Sequence, residues 1–192
     1  MTSEEFAKLA SQNFNRIPVT REVLADLETP LSVYLKLAYG ANSYMFESVQ
    51  GGEKWGRYSL IGLQTSTLLK VYGNRLEIVR DGKPMVNRTT SDPLAEVERF
   101  RQLFSMPVLP DLPRFTGGLV GYFGYDTVRF VEPRLAKTAP EDDLGAPDIL
   151  LPLLALPARA RTERQQQGQR QLRRAAGEGC KRARLAYEPA RL

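Results

Sequence analysis

Between Thr67 and Asn87 the chain alternates apolar and polar residues in short runs: Leu69-Lys70-Val71-Tyr72, then Leu76-Glu77-Ile78-Val79, then Pro84 to Asn87. A period of two sends successive side chains to opposite faces, so these runs predict β-strands. Gly73-Asn74 joins the first two and Asp81-Gly82 the second and third, dipeptides that tolerate the positive φ of tight primed turns, which predicts antiparallel hairpins. Ser43–Ser48 and Arg57–Gly62, either side of Gly51-Gly52, have the same aromatic and aliphatic make-up, and Ile17–Val23 reads as extended.

Helical spacing appears in three places. Thr2 with Glu5 forms a capping box ahead of Phe6 and Leu9. Thr29 stands at an N-cap with Pro30 at the first helical position, and Leu31, Tyr34 and Leu35 follow on one side. Asp92-Pro93 starts an amphipathic helix in which Leu94, Val97, Phe100 and Phe104 share a face, and Pro107, Pro110 and Pro113 end it. The stretch FTGGLVGYFGYDTVRFVE then reads as a glycine-punctuated strand carrying Leu119, Val120, Tyr122, Phe123 and Tyr125. Glycine inside a strand marks the close approach of another backbone or a ligand. The elements together predict an α+β body, mainly antiparallel sheets in a sandwich with flanking helices.

At LLPLLALP the composition changes. From Pro152 onward there is no Asp, Val, Ile, Phe, Met, Asn or Ser, while Arg, Ala, Gln, Leu and Gly dominate. The division is therefore residues 1–151, a normally encoded body, and residues 152–192, a basic low-complexity tail expected to be disordered or out of frame. An inventory of this kind lacks the means to make a strand, and a basic helix over Gln165–Arg174 has too few apolar residues to bury. The net charge of +5 belongs to this tail: nine arginines and one lysine against three glutamates from Leu151 give +7 there and leave −2 for residues 1–150. The tail reads as a nucleic-acid-binding extension, as a solvated tail, or as a shifted reading frame. Only Tyr187 offers a stacking platform for bases, and the abruptness of the change favours the frame shift, so nucleic acid is an unlikely partner.

With 42% hydrophobic residues in 192 the chain can bury a core. No apolar run approaches the roughly 18 residues of a membrane span, and MTSEEFAKLASQ lacks the basic-then-apolar character of a signal sequence, so a cytoplasmic protein is expected. Cys180 is the sole cysteine and histidine is absent, which excludes an internal disulfide framework, the usual zinc constellations and histidine-based triads. Acid–base chemistry would fall to Glu, Asp, Lys or Tyr.

In FESVQGGEKWGRYSLIG a polar pair, Glu47-Ser48, ends one apolar run, and a Gly-Gly turn and a second run carrying Arg and Tyr follow. A carboxylate beside a hydroxyl at a sheet edge can hold an ammonium group, but taken alone it reads first as a turn cap. Arg57 and Tyr58 alone read as an edge ion pair and a half-buried strand residue.

In context these pieces are more specific. SYMFESVQGGEKWGRYSLIG, preceded by ETPLSVYLKL and followed by GGLVGYFGYDTVRFVE, closely resembles the N-terminal part of anthranilate synthase component I, from about Ile17 to Leu151. The resemblance implies the fold of the chorismate-utilising enzymes and a reaction that converts chorismate and ammonia to anthranilate and pyruvate. It also implies a glutamine amidotransferase subunit as partner and ammonia source, Mg²⁺ as the metal of the full-length enzyme, and feedback inhibition by L-tryptophan. The family's Leu-Leu-Glu-Ser inhibitor motif falls on Met45-Phe46-Glu47-Ser48, so the resemblance assigns Ser48 and Glu47 to tryptophan, with Met45 and Phe46 expected to pack beneath the strand. Gly51-Gly52 would turn the chain and Arg57-Tyr58-Ser59 would return beside the motif, while Gly117, Gly118, Gly121 and Gly124 would pack against the missing half. No catalytic residue and no metal ligand of the family is recognised here, so the chain is expected to be inactive by itself. The alternatives are component I of aminodeoxychorismate synthase and a stand-alone tryptophan-sensing or subunit-binding module.

Overall fold

The computed structural model describes residues 1–47, 58–110, 112, 115–135, 143–154, 158–161 and 182–186. The chain divides into two compact units, one made of residues 1–64, 106–117 and 155–192, the other of residues 65–105 and 118–154. Both are α+β with antiparallel sheets, as the sequence pattern predicts.

The second unit is built on a meander, β4 (Thr67–Tyr72), β5 (Arg75–Arg80) and β6 (Lys83–Thr89), whose registers follow the two predicted hairpins. Asp81 and Gly82 both have positive φ, as a type I′ turn demands, and at the other turn only Gly73 does. On the far side of β4 lies β9 (Ile149–Leu154), pairing Leu69 with Leu151 and Val71 with Ile149. Its other edge carries two short strands, β7 (Gly118–Leu119) and β8 (Tyr122–Phe123). Leu69, Val71, Leu76, Ile149, Leu151 and Leu153 form the core, and helix α3 (Pro93–Gln102) covers it with Val97 and Phe100. Asp92 caps α3 through Ala95 N–H at 2.9 Å, and Leu94 and Phe104 pack on the same core, so the four residues assigned to one face share it.

The glycine-rich stretch is not one strand. After the two-residue pieces β7 and β8 it winds into a 3₁₀ helix, Tyr125–Phe130, and a second, Pro133–Leu135. Close backbone approach is the reason: a Cβ on Gly121 would lie 1.9 Å from the Leu150 carbonyl oxygen, and Gly124 N–H donates to the Asp148 carbonyl at 2.7 Å. The surface pressed against Gly121 and Gly124 is thus β9 and the residue before it, within this chain, and not a missing half.

A second correction concerns the tail. β9 runs through Leu154, past the compositional break, with Pro152 at the gap between β7 and β8, where its carbonyl accepts from Val120 N–H at 3.2 Å. Beyond it, β10 (Ala158–Arg161) and β11 (Arg182–Ala186) are strands after all. Their ARAR and RARLA runs alternate with period two, and a ladder is made by backbone groups that Ala and Arg supply as well as Val or Ile does.

In the first unit these strands complete a five-stranded antiparallel sheet of order β1-β11-β10-β3-β2, where β1 is Thr20–Leu24, β2 Tyr44–Glu47 and β3 Tyr58–Gly62. Helix α1 (Ser3–Ala10) has the predicted capping box, with Glu5 N–H donating to Thr2 Oγ1 at 3.1 Å and Thr2 N–H to a Glu5 carboxylate oxygen at 2.7 Å. Helix α2 (Pro30–Leu37) is capped by Thr29, and Ser32 returns a bond to the Thr29 N–H that the sequence reading did not foresee. The buried pair Ala38 and Ile61 anchors this unit, with Val33, Tyr34, Met45 and Leu63 packed around it.

One buried charge stands out in the second unit. Glu96 on α3 is 7% exposed and bonds to Arg88 on β6 and Arg99 on its own helix. Burial pushes its carboxyl up, but the bonds from Arg99 and Arg88 outweigh that and hold the pKa below the ordinary carboxylate value. A depressed pKa stabilises the fold above the unfolded carboxyl's pKa, and that contribution disappears as pH falls through the folded value. Acid unfolding followed by circular dichroism is expected to show a shallower loss of stability between about pH 5 and 3 for Glu96→Gln than for the wild type. Leu69→Ala, at a fully buried position facing β9, is expected to cost about 3 kcal/mol in urea denaturation.

Candidate functional site

β2 and β3 pair antiparallel with Tyr44 opposite Gly62, Met45 opposite Ile61, Phe46 opposite Leu60 and Glu47 opposite Ser59. The alternation of the strand then settles which side chains face the core. Met45 packs against Ala38 and Ile61. Phe46 does not pack beneath the strand as expected; it is 52% exposed and meets the Tyr44 ring at 4.7 Å between centroids. Neighbours in a strand point to opposite faces, so Met45 and Phe46 cannot both point inward.

Glu47 closes β2 as an exposed residue on the same side of the strand as Met45. The Oγ of Ser59, a residue with no exposure, donates to Glu47 Oε1 at 3.5 Å, which is a long bond. Arg57-Tyr58-Ser59 was expected beside the motif, and Tyr58 and Ser59 are there. Ser48, Gly51, Gly52 and Arg57 lie outside the described residues. Ser59 itself was named only as part of the returning strand. Its pairing with Glu47 follows from the β2–β3 register.

At the other end of the pair, Tyr44 lies flat across Gly62. A Cβ added at Gly62 would fall 1.9 Å from a ring carbon, so glycine is needed for the ring to reach the strand. An aromatic laid over a cross-strand glycine restores contacts that the glycine cannot make. The Tyr44 hydroxyl is buried with no hydrogen-bond partner among the described residues, and desolvation pushes its pKa up to about 12. Nearby, the Tyr34 hydroxyl and Ser43 Oγ are 3.0 Å apart, and Ser43 Oγ donates to the Gly40 carbonyl at 2.7 Å, which pins the turn that leads into β2.

Elsewhere in the first unit, a cavity of about 490 Å³ opens beside α1, lined by Leu9, Pro18, Leu109 and Leu112 together with Glu5 and Lys8. It is mostly apolar, and its one acid already serves as the helix cap. Nothing in the sequence pattern pointed to it, because its walls come from segments far apart in the chain. Among the described residues no group of three or more Asp, Glu, His or Cys side chains comes together, so those residues do not form a site that fits Mg²⁺. Among them, too, no helix is long and apolar enough to cross a membrane.

Ionising a buried phenol costs more in the folded chain than in the unfolded one, so the Tyr44 contribution is intact below pH 10 and is lost as pH rises toward 12. Tyr44→Phe is expected to remove that alkaline slope and to change neutral-pH stability by less than about 1 kcal/mol, since the lost hydroxyl has no partner among the described residues. Urea denaturation across roughly pH 7 to 11 checks both.

The comparisons with known proteins bear on what this edge belongs to. No family model matches the chain. Anthranilate synthase component 1 of Pseudomonas aeruginosa is 58% identical over 151 residues, which is 79% of this chain and 31% of that protein. The Pseudomonas putida protein of the same name is 56% identical over 151 residues, with the same coverage, and that of Neisseria meningitidis serogroup B is 49% identical over 156 residues, 80% of this chain and 32% of the relative. The chain spans about a third of the length of these curated relatives. Identities of this size across four fifths of its residues mean that the chain belongs, as an N-terminal portion, to the anthranilate synthase component 1 family.

Proposed function

We propose that this chain is the inhibitor-reading N-terminal part of an anthranilate synthase component 1. The full-length enzyme would convert chorismate and ammonia to anthranilate and pyruvate, take its ammonia from a glutamine amidotransferase subunit, and be inhibited by tryptophan. Its Mg²⁺ is assigned to no residue of this chain. The word component in the relatives' names supports a second subunit. Aminodeoxychorismate synthase, the other chorismate enzyme considered, is not the name carried by the relatives above.

The observation that carries the reading is the state of Glu47. It is exposed at the end of an edge strand, and among the described residues its one bond is a long contact from a neutral hydroxyl. A carboxylate with no cation beside it among the described residues is suited to receive the ammonium group of an amino acid, and a charge-assisted bond of that kind is short and strong. Ser48, next in the chain, would bond the ligand through its hydroxyl. Feedback follows if tryptophan binds one conformation of the whole enzyme better than another, for a ligand shifts a population only by its differential affinity. The Glu47–Ser59 pair ties this ligand site to the buried face of the sheet.

On this reading the chain produces no anthranilate from chorismate and ammonia, which fluorescence would show. L-tryptophan should bind, as measured by titration calorimetry, and Glu47→Gln should weaken it by about 2 kcal/mol, roughly 30-fold. An absence of tryptophan binding, or binding indifferent to Glu47→Gln and Ser48→Ala, would remove the basis for the assignment.

A further inference from the structure

The five-stranded sheet of the first unit sorts the residues of its two closing strands by charge. Residues opposite one another across a ladder share a face, and neighbours along a strand do not. β10 pairs Ala158 with Ile61 and Ala160 with Ser59, which puts its alanines at register positions on the face where Ile61 is buried. Arg159 pairs with Leu60 and with Arg184, so it stands on the reverse face, and Arg161, Arg182 and Arg184 stand there with it. One acid shares these positions, Glu22 opposite Arg184. Four arginines against one glutamate leave a formal charge of +3 across the adjacent strands β1, β11 and β10.

The strands that complete this face bring aromatics to it. Tyr58 pairs with Arg161, and Phe46 with Leu60 beside Arg159. Phe46 is 52% and Tyr58 38% exposed. The tail alone supplies a single aromatic, Tyr187, so its charge by itself gives little support to a nucleic-acid role. Register alters that balance, because the cations come from the tail's strands and the rings from β2 and β3. Spaced cations neutralise phosphates and exposed rings beside them stack bases, a combination that suits single strands. A ring can stack only on a base that has left its partner, and unpaired bases are an ordinary feature of RNA loops and ends. We propose that this arginine–aromatic face of the β1-β11-β10-β3-β2 sheet binds single-stranded RNA. It is the reverse of the face on which Met45, Glu47 and Ser59 stand, and tryptophan binding at Glu47 neither requires nor excludes it.

The test is fluorescence anisotropy of the whole chain with a labelled oligouridine of about 20 nucleotides. Affinity is expected to fall roughly 20- to 50-fold between about 50 and 200 mM salt, the loss for three or four neutralised phosphates on a single strand. Arg159→Gln with Arg184→Gln should weaken binding about tenfold and roughly halve its salt dependence. Arg170→Gln with Arg173→Gln removes the same charge from elsewhere in the tail and should change affinity less than about twofold. Phe46→Leu keeps apolar bulk but loses the aromatic plane, and should weaken binding about fivefold or more. Its position is half exposed, so it keeps the test valid if the arginine pair unfolds the chain. Absence of RNA binding at low salt overturns the proposal. Equal losses from the two arginine pairs also overturn it, since the charge of the tail as a whole would then be the cause. Full affinity in Phe46→Leu does the same, as does binding of duplex or single-stranded DNA as tight as that of the RNA.

Discussion

The second unit depends on β9. Its residues Ile149, Leu151 and Leu153 bury against Leu69 and Val71 from a hairpin some eighty positions earlier, so the hydrophobic gain of the core is realised only after a long loop has closed. The same strand holds β7 and β8 on its other edge, and its carbonyls at Leu150 and Pro152 meet Gly121 and Val120 closely enough that no larger residue than glycine fits at the first. The local hairpins are stable propositions from turn chemistry alone. The sheet that makes them a unit is a long-range one.

The same pattern of local pieces fixed by one distant strand governs the candidate site. Glu47 is placed by its pairing with Ser59, and Ser59 is placed by the burial of its neighbour Ile61 against Ala38. A polar group at the end of an edge strand is thereby tied to a hydrophobic cluster two residues away. A ligand bound at the rim, as proposed, would be linked through a single β-ladder to packing in the core, an arrangement in which a small ligand can favour one packing over another.

Much of this was legible in the sequence because it is written in local chemistry. Thr2, Thr29 and Asp92 announce helix starts through the hydrogen bonds that their side chains can accept, and Asp81-Gly82 announces a turn through its φ angles. Leu94, Val97 and Phe100 declare a face by spacing alone. The failures share a different cause. Phe46 was put on the wrong side because two adjacent residues were given one role where a strand alternates. The glycine-rich stretch was read as a strand, although close contact with residues 148–150 breaks it into short pieces and leaves a 3₁₀ turn. The tail's strands were missed because composition was weighed and the alternation within ARAR and RARLA was not. Glu96 was invisible for a simpler reason: its two arginines are brought together by the packing of α3 against β6, which no single segment encodes.

Among the described residues of the first unit, β1 touches its sheet only through β11, and β11 reaches β3 only through β10. The opening strand of the chain is therefore held by the closing one through backbone bonds that are nearly indifferent to which side chains the closing residues carry. Translation adds a time order to that dependence. While the ribosome is still adding residues up to Ala186, β1 has no ladder to join, and its edge waits open to any other extended segment that comes within reach. The residue types of β11 can thus vary without loss of the ladder, but the moment at which they arrive decides how long β1 stays available to the wrong partner.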